Sequence, residues 1–201
     1  MKELFIEIDR IVPTMGDWCS VKKAAILASM VVALRPAVTV EIGVFSGASF
    51  LPMALAHKHL DHGVAYAIDP WNKSASIEGM YVAADITWWE RLDHEQIYQD
   101  FMARVHSNGL SKHTQIIRAK SDDVEPPKDI GLFHLDGNHG QQAIKDVARF
   151  APNVIMGGIC WMDDLHWSGG GVAKAADNLI GMGFVKLYEQ DTGAVFQRIS
   201  K

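Results

Sequence analysis

Apolar residues along this chain follow two periods. From Ser20 to Leu34 they recur at helical spacing, and the stretch ends at Arg35-Pro36, where proline biases the preceding residue out of the helical region. From Val38 to Val44 the pattern becomes β-branched and nearly continuous, interrupted by one carboxylate, Glu41. That segment reads as a strand. It runs into a turn with Gly43 and Gly47, then into a helix over about 49–59. A second apolar run, Val64 to Ile68, closes on Asp69-Pro70-Trp71, so strand, helix and strand fit the length of one βαβ unit.

The alternation resumes further on. Thr114 to Ala119, Ile130 to Leu135 and Val154 to Met162 read as strands, although Gly157-Gly158 allows the first half of the last to be a turn. Residues 94–108, 140–150 and the segment from Gly169 to Gly181 read as helices. Phe184 to Glu189 and Ala194 to Ile199 flank Asp191-Thr192-Gly193 and predict a terminal hairpin. Two stretches break the rhythm. Residues 1–19 read as an N-terminal arm with a partner-facing Trp18, and 72–113 as a lid or interface insertion carrying Met80, Tyr81, Trp88 and Trp89. The expected organisation is that arm followed by a single domain over 20–201.

Strands alternating with helices predict an α/β fold, a mostly parallel sheet covered on both faces, whose ligands bind beyond the carboxyl ends of the strands. At those ends stand the Gly43–Gly47 turn, Asp69, Ser121-Asp122, Asp136 and Asp163-Asp164. Carboxylates gathered at one edge repel and resist desolvation, so a cation or a hydroxyl-rich ligand is expected there. Composition narrows the partner. The chain has 201 residues, a net charge of −5 and a pI near 6, which leaves no basic footprint for nucleic acid or an anionic membrane. Its longest apolar stretch, Ala24 to Leu34, is too short to span a bilayer, the start MKELFIEIDR lacks a signal core, and the two cysteines, Cys19 and Cys160, form no disulfide framework. A cytoplasmic protein with a small-molecule partner is expected, and the exposed aromatics of the insertion leave room for a homodimer.

Individual residues carry alternative readings. Asp69 is placed for a ribose, with a helix cap or a turn before proline as the lesser alternative; Ser121 and Asp122 for an adenine or for a solvated loop. Asp136, Asp163 and Asp164 offer the oxygen donors that a hard divalent ion such as Mg²⁺ prefers, and helix capping would account for only one of them. His134, two residues before Asp136 on one strand face, reads as a buried, hydrogen-bonded histidine. His139 is better placed as a general base, and His57, His59 and His62 at a helix end read as solvated.

Taken in order, these motifs resemble a family. VEIGVFSGAS, AIDPW, FHLDGNHG and WMDDLHW are similar to the successive motifs of class I S-adenosylmethionine-dependent methyltransferases, and among them of the metal-dependent small-molecule O-methyltransferases, the macrocin O-methyltransferase and cephalosporin hydroxylase-like branch. Catechol O-methyltransferase is a more distant relative. The resemblance implies a Rossmann-like doubly wound sheet of seven strands with an antiparallel last strand. It implies Glu41, Gly43, Gly47 and Ser49 at the methionine part of the cofactor, Asp69 at the ribose, and Ser121 with Asp122 at the adenine. It implies Asp136, Asp163 and Asp164 on a Mg²⁺ or another hard divalent cation, with Asp136 catalytic in methyl transfer to a hydroxyl of a sugar or natural product; as the base, His139 is the best candidate beside solvent. The chain departs from the pattern at His139, where the catechol-type enzymes carry lysine, and at Asn138, where sugar-acting ones carry aspartate. Asn138 leaves a non-catalytic S-adenosylmethionine-binding or scaffold protein as the alternative; a nicotinamide enzyme fits less well, since the dinucleotide fingerprint lacks its middle glycine.

Overall fold

A computed structural model describes residues 1–80 and 82–200; Tyr81 of the insertion lies outside the described residues. The chain opens with α1 (Lys2–Ile11), whose Leu4, Ile8 and Ile11 bury one face in the larger of two apolar cores. In α2 (Val21–Leu34) the Ser20 hydroxyl accepts the Lys23 N–H at 3.1 Å, and the helix stops where Arg35 turns left-handed ahead of Pro36. Then follow β1 (Val38–Ile42), α3 (Phe50–Leu60) and β2 (Val64–Ile68). After β2 come α4 (Lys73–Ser76), α5 (Ala83–Glu90) and α6 (His94–Ser107), then β3 (Thr114–Ile117) and β4 (Ile130–Leu135). The chain ends with α7 (Gln141–Phe150), β5 (Val154–Met162), α8 (Gly171–Gly181) and the hairpin β6 (Phe184–Gln190) and β7 (Gly193–Arg198).

The strands form one seven-stranded sheet in the order β3-β2-β1-β4-β5-β7-β6. Every pairing from β3 to β5 is parallel, and β7 runs antiparallel to both of its neighbours. This is the expected Rossmann-like, doubly wound sheet. Helices α1, α2 and α3 with Phe101 and Val105 of α6 cover one face, and α7 with α8 covers the other. The strand order reverses between β1 and β4, which opens a crevice at their carboxyl ends.

Two features refine the sequence reading. Strand β5 is continuous across its glycines, because a register shift opposite Ile130 to Leu132 and the positive φ of Gly157 (78°) absorb the extra residues as a bulge. Helix α6 is the crossover that two parallel strands require between β2 and β3, so only 72–93 is additional to the alternation.

His57 corrects an expectation. It is fully buried, with Nδ1 2.7 Å from the carbonyl of His62 and Nε2 3.1 Å from Thr39 Oγ1 on β1. A carbonyl can only accept, so Nδ1 carries the proton and Nε2 accepts from the threonine. Burial holds the imidazole down to about 4, outweighing the hydrogen bond to His62. A base depressed in the folded state contributes stability above its unfolded value of 6.5 and loses it as pH falls through about 4. Urea unfolding of the wild type should therefore weaken between these limits, and less so for His57→Gln. At neutral pH, Thr39→Val should cost about 1–3 kcal/mol, because it leaves a buried acceptor without a donor.

Candidate functional site

Side chains alternate across a strand, and this alternation assembles the site. Glu41 on β1 lies in register with His134 on β4, and His134 with Trp161 on β5. All three face α2, and two residues further along each strand direction Asp136 and Asp163 emerge on that same side. The ladder continues past the strand ends, with the Asp136 N–H donating to Ile42 O (2.9 Å) and the Asp163 N–H to Leu135 O (2.9 Å). The two carboxylates are thus held by backbone.

Above them comes Lys23, in the first turn of α2, with only 7 % of its surface exposed. Its ammonium is hydrogen-bonded to Asp163 Oδ2 and lies 3.5 Å from Asp136 Oδ2. His134 Nε2 is 2.9 Å from the same oxygen of Asp163, and its Nδ1 is 3.0 Å from Glu41 Oε2. Glu41 Oε1 in turn accepts from the Ser49 hydroxyl at 2.7 Å. Charges of alternating sign therefore run from Glu41 through His134 and Asp163 to Lys23 and Asp136. Burial alone would lower the His134 value, but the Glu41 charge and the bonds to Asp163 and Glu41 carry it up to about 9. Burial likewise works against ionised Asp163, yet His134 and Lys23 hold it far below the ordinary carboxylate range. Burial pushes Asp136 up, and the neighbouring Asp163 charge adds to the push. Lys23 is raised against its own burial by Asp136 and Asp163.

These groups border a cavity of about 740 Å³ at the crevice. Of the predicted residues, Gly43, Ser49, Asp69, Ser121, Asp122, Asp136, His139, Asp163 and Asp164 line it. Glu41 does not; it is sealed beneath the floor and reaches the cavity only through Ser49. Gly47 is also off the surface, and a Cβ there would come within 2.7 Å of the Phe101 ring, so packing on α6 requires it to be glycine. Gly43, at φ 86°, is required by closeness to β4, since a Cβ would stand 2.2 Å from the Asp136 carbonyl oxygen.

Asp69 has work beyond any ligand. Its Oδ2 accepts the N–H groups of Val44 and Phe45 (2.9 Å each) and Oδ1 that of Trp71 (2.6 Å), which holds the β1 turn in place. Burial raises its value despite these bonds. Phe45, Trp71 and Asp164 all take positive φ (49°, 41° and 52°), so non-glycine residues in left-handed conformation cluster around the cavity. In the first turn of α7, Gln142 donates to Ser121, Asp122 and Asp146. Asp146 is fully buried, its Oδ2 has no hydrogen-bond partner among the described residues, and burial raises its value.

Just before α7, His139 Nε2 lies 3.1 Å from Asp164 Oδ2 and its ring packs 4.6 Å from that of Trp167. Donor atoms of Asp136, His139 and Asp164 fall within 4.8 Å of one another, as do those of His134, Asp136 and Asp163. Trp18, half exposed, packs against Phe45, Trp88 and Trp89 at the rim (5.1–6.0 Å between ring centroids). The 72–93 segment is tied across the mouth, with Glu78 bonded to Lys120 through its carboxylate and to Asn138 through its carbonyl. Lys23, Gln142 and Asp146 escaped the sequence reading. For Lys23 a signal existed, since it shares the buried stripe of α2 with Ala24, Leu27, Ala28 and Val31.

Residues 40–165 match a family described as a methyltransferase domain. The chain belongs to that family. Search of the curated proteins finds no match. Among solved structures, the methyltransferase is similar to the O-methyltransferase NovP (16% identity, TM-score 0.68, covering 89% of this chain and 79% of that one). It is also similar to an SAH-bound methyltransferase of Podospora anserina (12%, 0.66, 100% and 89%). A third is TomG of Streptomyces achromogenes, an O-methyltransferase in tomaymycin synthesis in complex with SAM (12%, 0.61, 90% and 82%). At these identities the likeness establishes the shared class I methyltransferase fold. Among the described residues no helix is long and apolar enough to cross a membrane.

Two outcomes follow from this geometry. Asp69→Ala should lower stability by at least about 1.5–3 kcal/mol, the worth of one hydrogen bond to a charged group, in chemical denaturation with no cofactor added. The second concerns pH. A base raised in the folded state contributes stability in full below its unfolded value of 6.5 and loses it as pH rises through about 9. The wild type should weaken over that range, and Glu41→Gln, which removes the charge facing His134, should flatten the dependence.

Proposed function

We propose that the protein transfers a methyl group from S-adenosylmethionine to a hydroxyl of a small molecule of sugar or natural-product type. The observation that carries this reading is one cavity lined both by hydrogen-bonding groups suited to a nucleoside, Asp69, Ser121 and Asp122, and by the cluster of His139 with Asp136 and Asp164. In this reading the β1 turn at Gly43 and the Ser49 hydroxyl hold the methionine part, with Glu41 orienting Ser49 from below. Asp69 takes the ribose while fixing the turn, since a carboxylate has about four lone-pair sites and three are engaged. Ser121 and Asp122 take the adenine, with Gln142 and Asp146 behind them. The cofactor supplies an electrophilic methyl on a sulfonium.

His139 takes the acceptor hydroxyl proton, and the Asp164 carboxylate, 3.1 Å from Nε2, favours the imidazolium that forms. Trp167 and Trp18 offer apolar ring faces to a sugar or a flat acceptor. The 72–93 segment closes the mouth and keeps water out, and most of the acceleration comes from positioning. A hard divalent cation such as Mg²⁺ fits Asp136 and Asp164: both carboxylates are partly open to the cavity, and the buried His139 Nε2 beside them has no well-formed hydrogen bond. Bound there, it would lower the pKa of the acceptor hydroxyl. Asp163 is engaged by Lys23 and His134.

Calorimetric titration should give one saturable site for S-adenosylmethionine and for its demethylated product, with no response to NADH; tight NADH binding alone would sink the reading. In a screen of hydroxylated acceptors, His139→Ala should slow turnover about 10²–10⁴-fold while leaving cofactor affinity unchanged. Cofactor binding without turnover on any acceptor would favour the non-catalytic alternative.

A further inference from the structure

Lysine is almost never fully buried without a partner, and the surroundings of Lys23 say what it does. His134, Asp136 and Asp163 bring their donor atoms within 4.8 Å of one another, the spread of a metal coordination sphere. The Lys23 ammonium is bonded to Asp163 Oδ2 and stands 3.5 Å from Asp136 Oδ2, while His134 Nε2 points at that same Asp163 oxygen from 2.9 Å. A divalent ion using both carboxylates would need the ground that the ammonium holds. The ammonium is itself a compact point charge with three N–H donors. Its position is fixed from two directions, by the Ser20 cap at the start of α2 and by backbone bonds on both aspartates.

We infer that Lys23 is a built-in substitute for a divalent cation at this inner group: its ammonium neutralises Asp136 and Asp163 in place of a metal ion, and the group accepts a metal only when Lys23 is removed. In the proposed methyl transfer, on which this consequence rests, an acceptor oxygen approaching the inner group meets an ammonium donor. A metal then finds its ligands only on the outer side, at Asp136 and Asp164.

Mn²⁺ alone is the probe, followed through the paramagnetic resonance signal of the free ion, with full-length wild type, Lys23→Met and the double variant Lys23→Met/Asp163→Asn. Lys23→Met should bind one more Mn²⁺ than the wild type, or bind it at least about tenfold more tightly, and the double variant should lose about 10- to 100-fold of that gain. If Lys23→Met does not fold without metal, Mn²⁺ should restore its cooperative melt. A Lys23→Met protein that binds Mn²⁺ no better than wild type and is not refolded by it overturns the inference. So does a wild-type Mn²⁺ site abolished by Asp163→Asn and untouched by Asp164→Asn, since that would put an ion on the inner group with Lys23 present. S-adenosylmethionine titration of the wild type is read separately, so loss of the methyl-transfer reading and loss of this inference are different results.

Discussion

Charge burial is the constraint on which this structure turns. Glu41 and His134 are fully enclosed, and Lys23 and Asp163 nearly so. Each alone would resist desolvation by several kcal/mol. They are tolerated because the signs alternate along one row, and Asp163 is also hydrogen-bonded to both Lys23 and His134, so no member is left without an opposite charge. Such a row is stable only if its members stay in register, which the sheet ensures. Glu41 pairs with His134 across β1 and β4, and the next two residues of β4 and β5 extend the row to the cavity. A slip of one residue in any strand would turn its member to the other face and leave a lone charge in the core.

The rest of the crevice is fitted to that row. Gly43 is where β1 touches the backbone of Asp136, so the turn after β1 is placed against the very residue that ends the row. Asp69 then ties the same turn to β2 through Val44 and Phe45, and left-handed Phe45 carries its ring to the aromatic rim. The glycines that first suggested a ligand cradle therefore work chiefly as packing devices: Gly43 admits a backbone and Gly47 admits Phe101. Ligand-facing chemistry falls to the residues between and beside them.

Much of this was legible in sequence, and what was not has physical reasons. Strand ends could be found because apolar runs stop at carboxylates, and alternation alone placed His134 and Asp136 on one face. The helical half of 72–113 was found by its period, but its role as a crossover depends on knowing that β2 and β3 are neighbours. His57 was misplaced because charge and position at a helix end suggest solvent, whereas the partner that buries it, Thr39, lies on another element. Lys23 was missed for a similar reason. A lysine on an apolar stripe usually extends its ammonium to water, and its two carboxylate partners are more than a hundred residues away.

The row also biases the chemistry at its open end. Two basic groups, Lys23 and His134, face three acidic ones, Glu41, Asp163 and Asp136, so one carboxyl of the row has no basic partner of its own. Asp136 is the member most open to the cavity, and burial and the Asp163 charge raise its affinity for a proton. In the proposed methyl transfer this places a carboxylate close to the cationic methyl donor. In that reading Asp136 and Asp164 stand beside His139, which takes the acceptor proton. Lys23 meanwhile stays charged, because giving up its proton would expose Asp163 and Asp136 to each other.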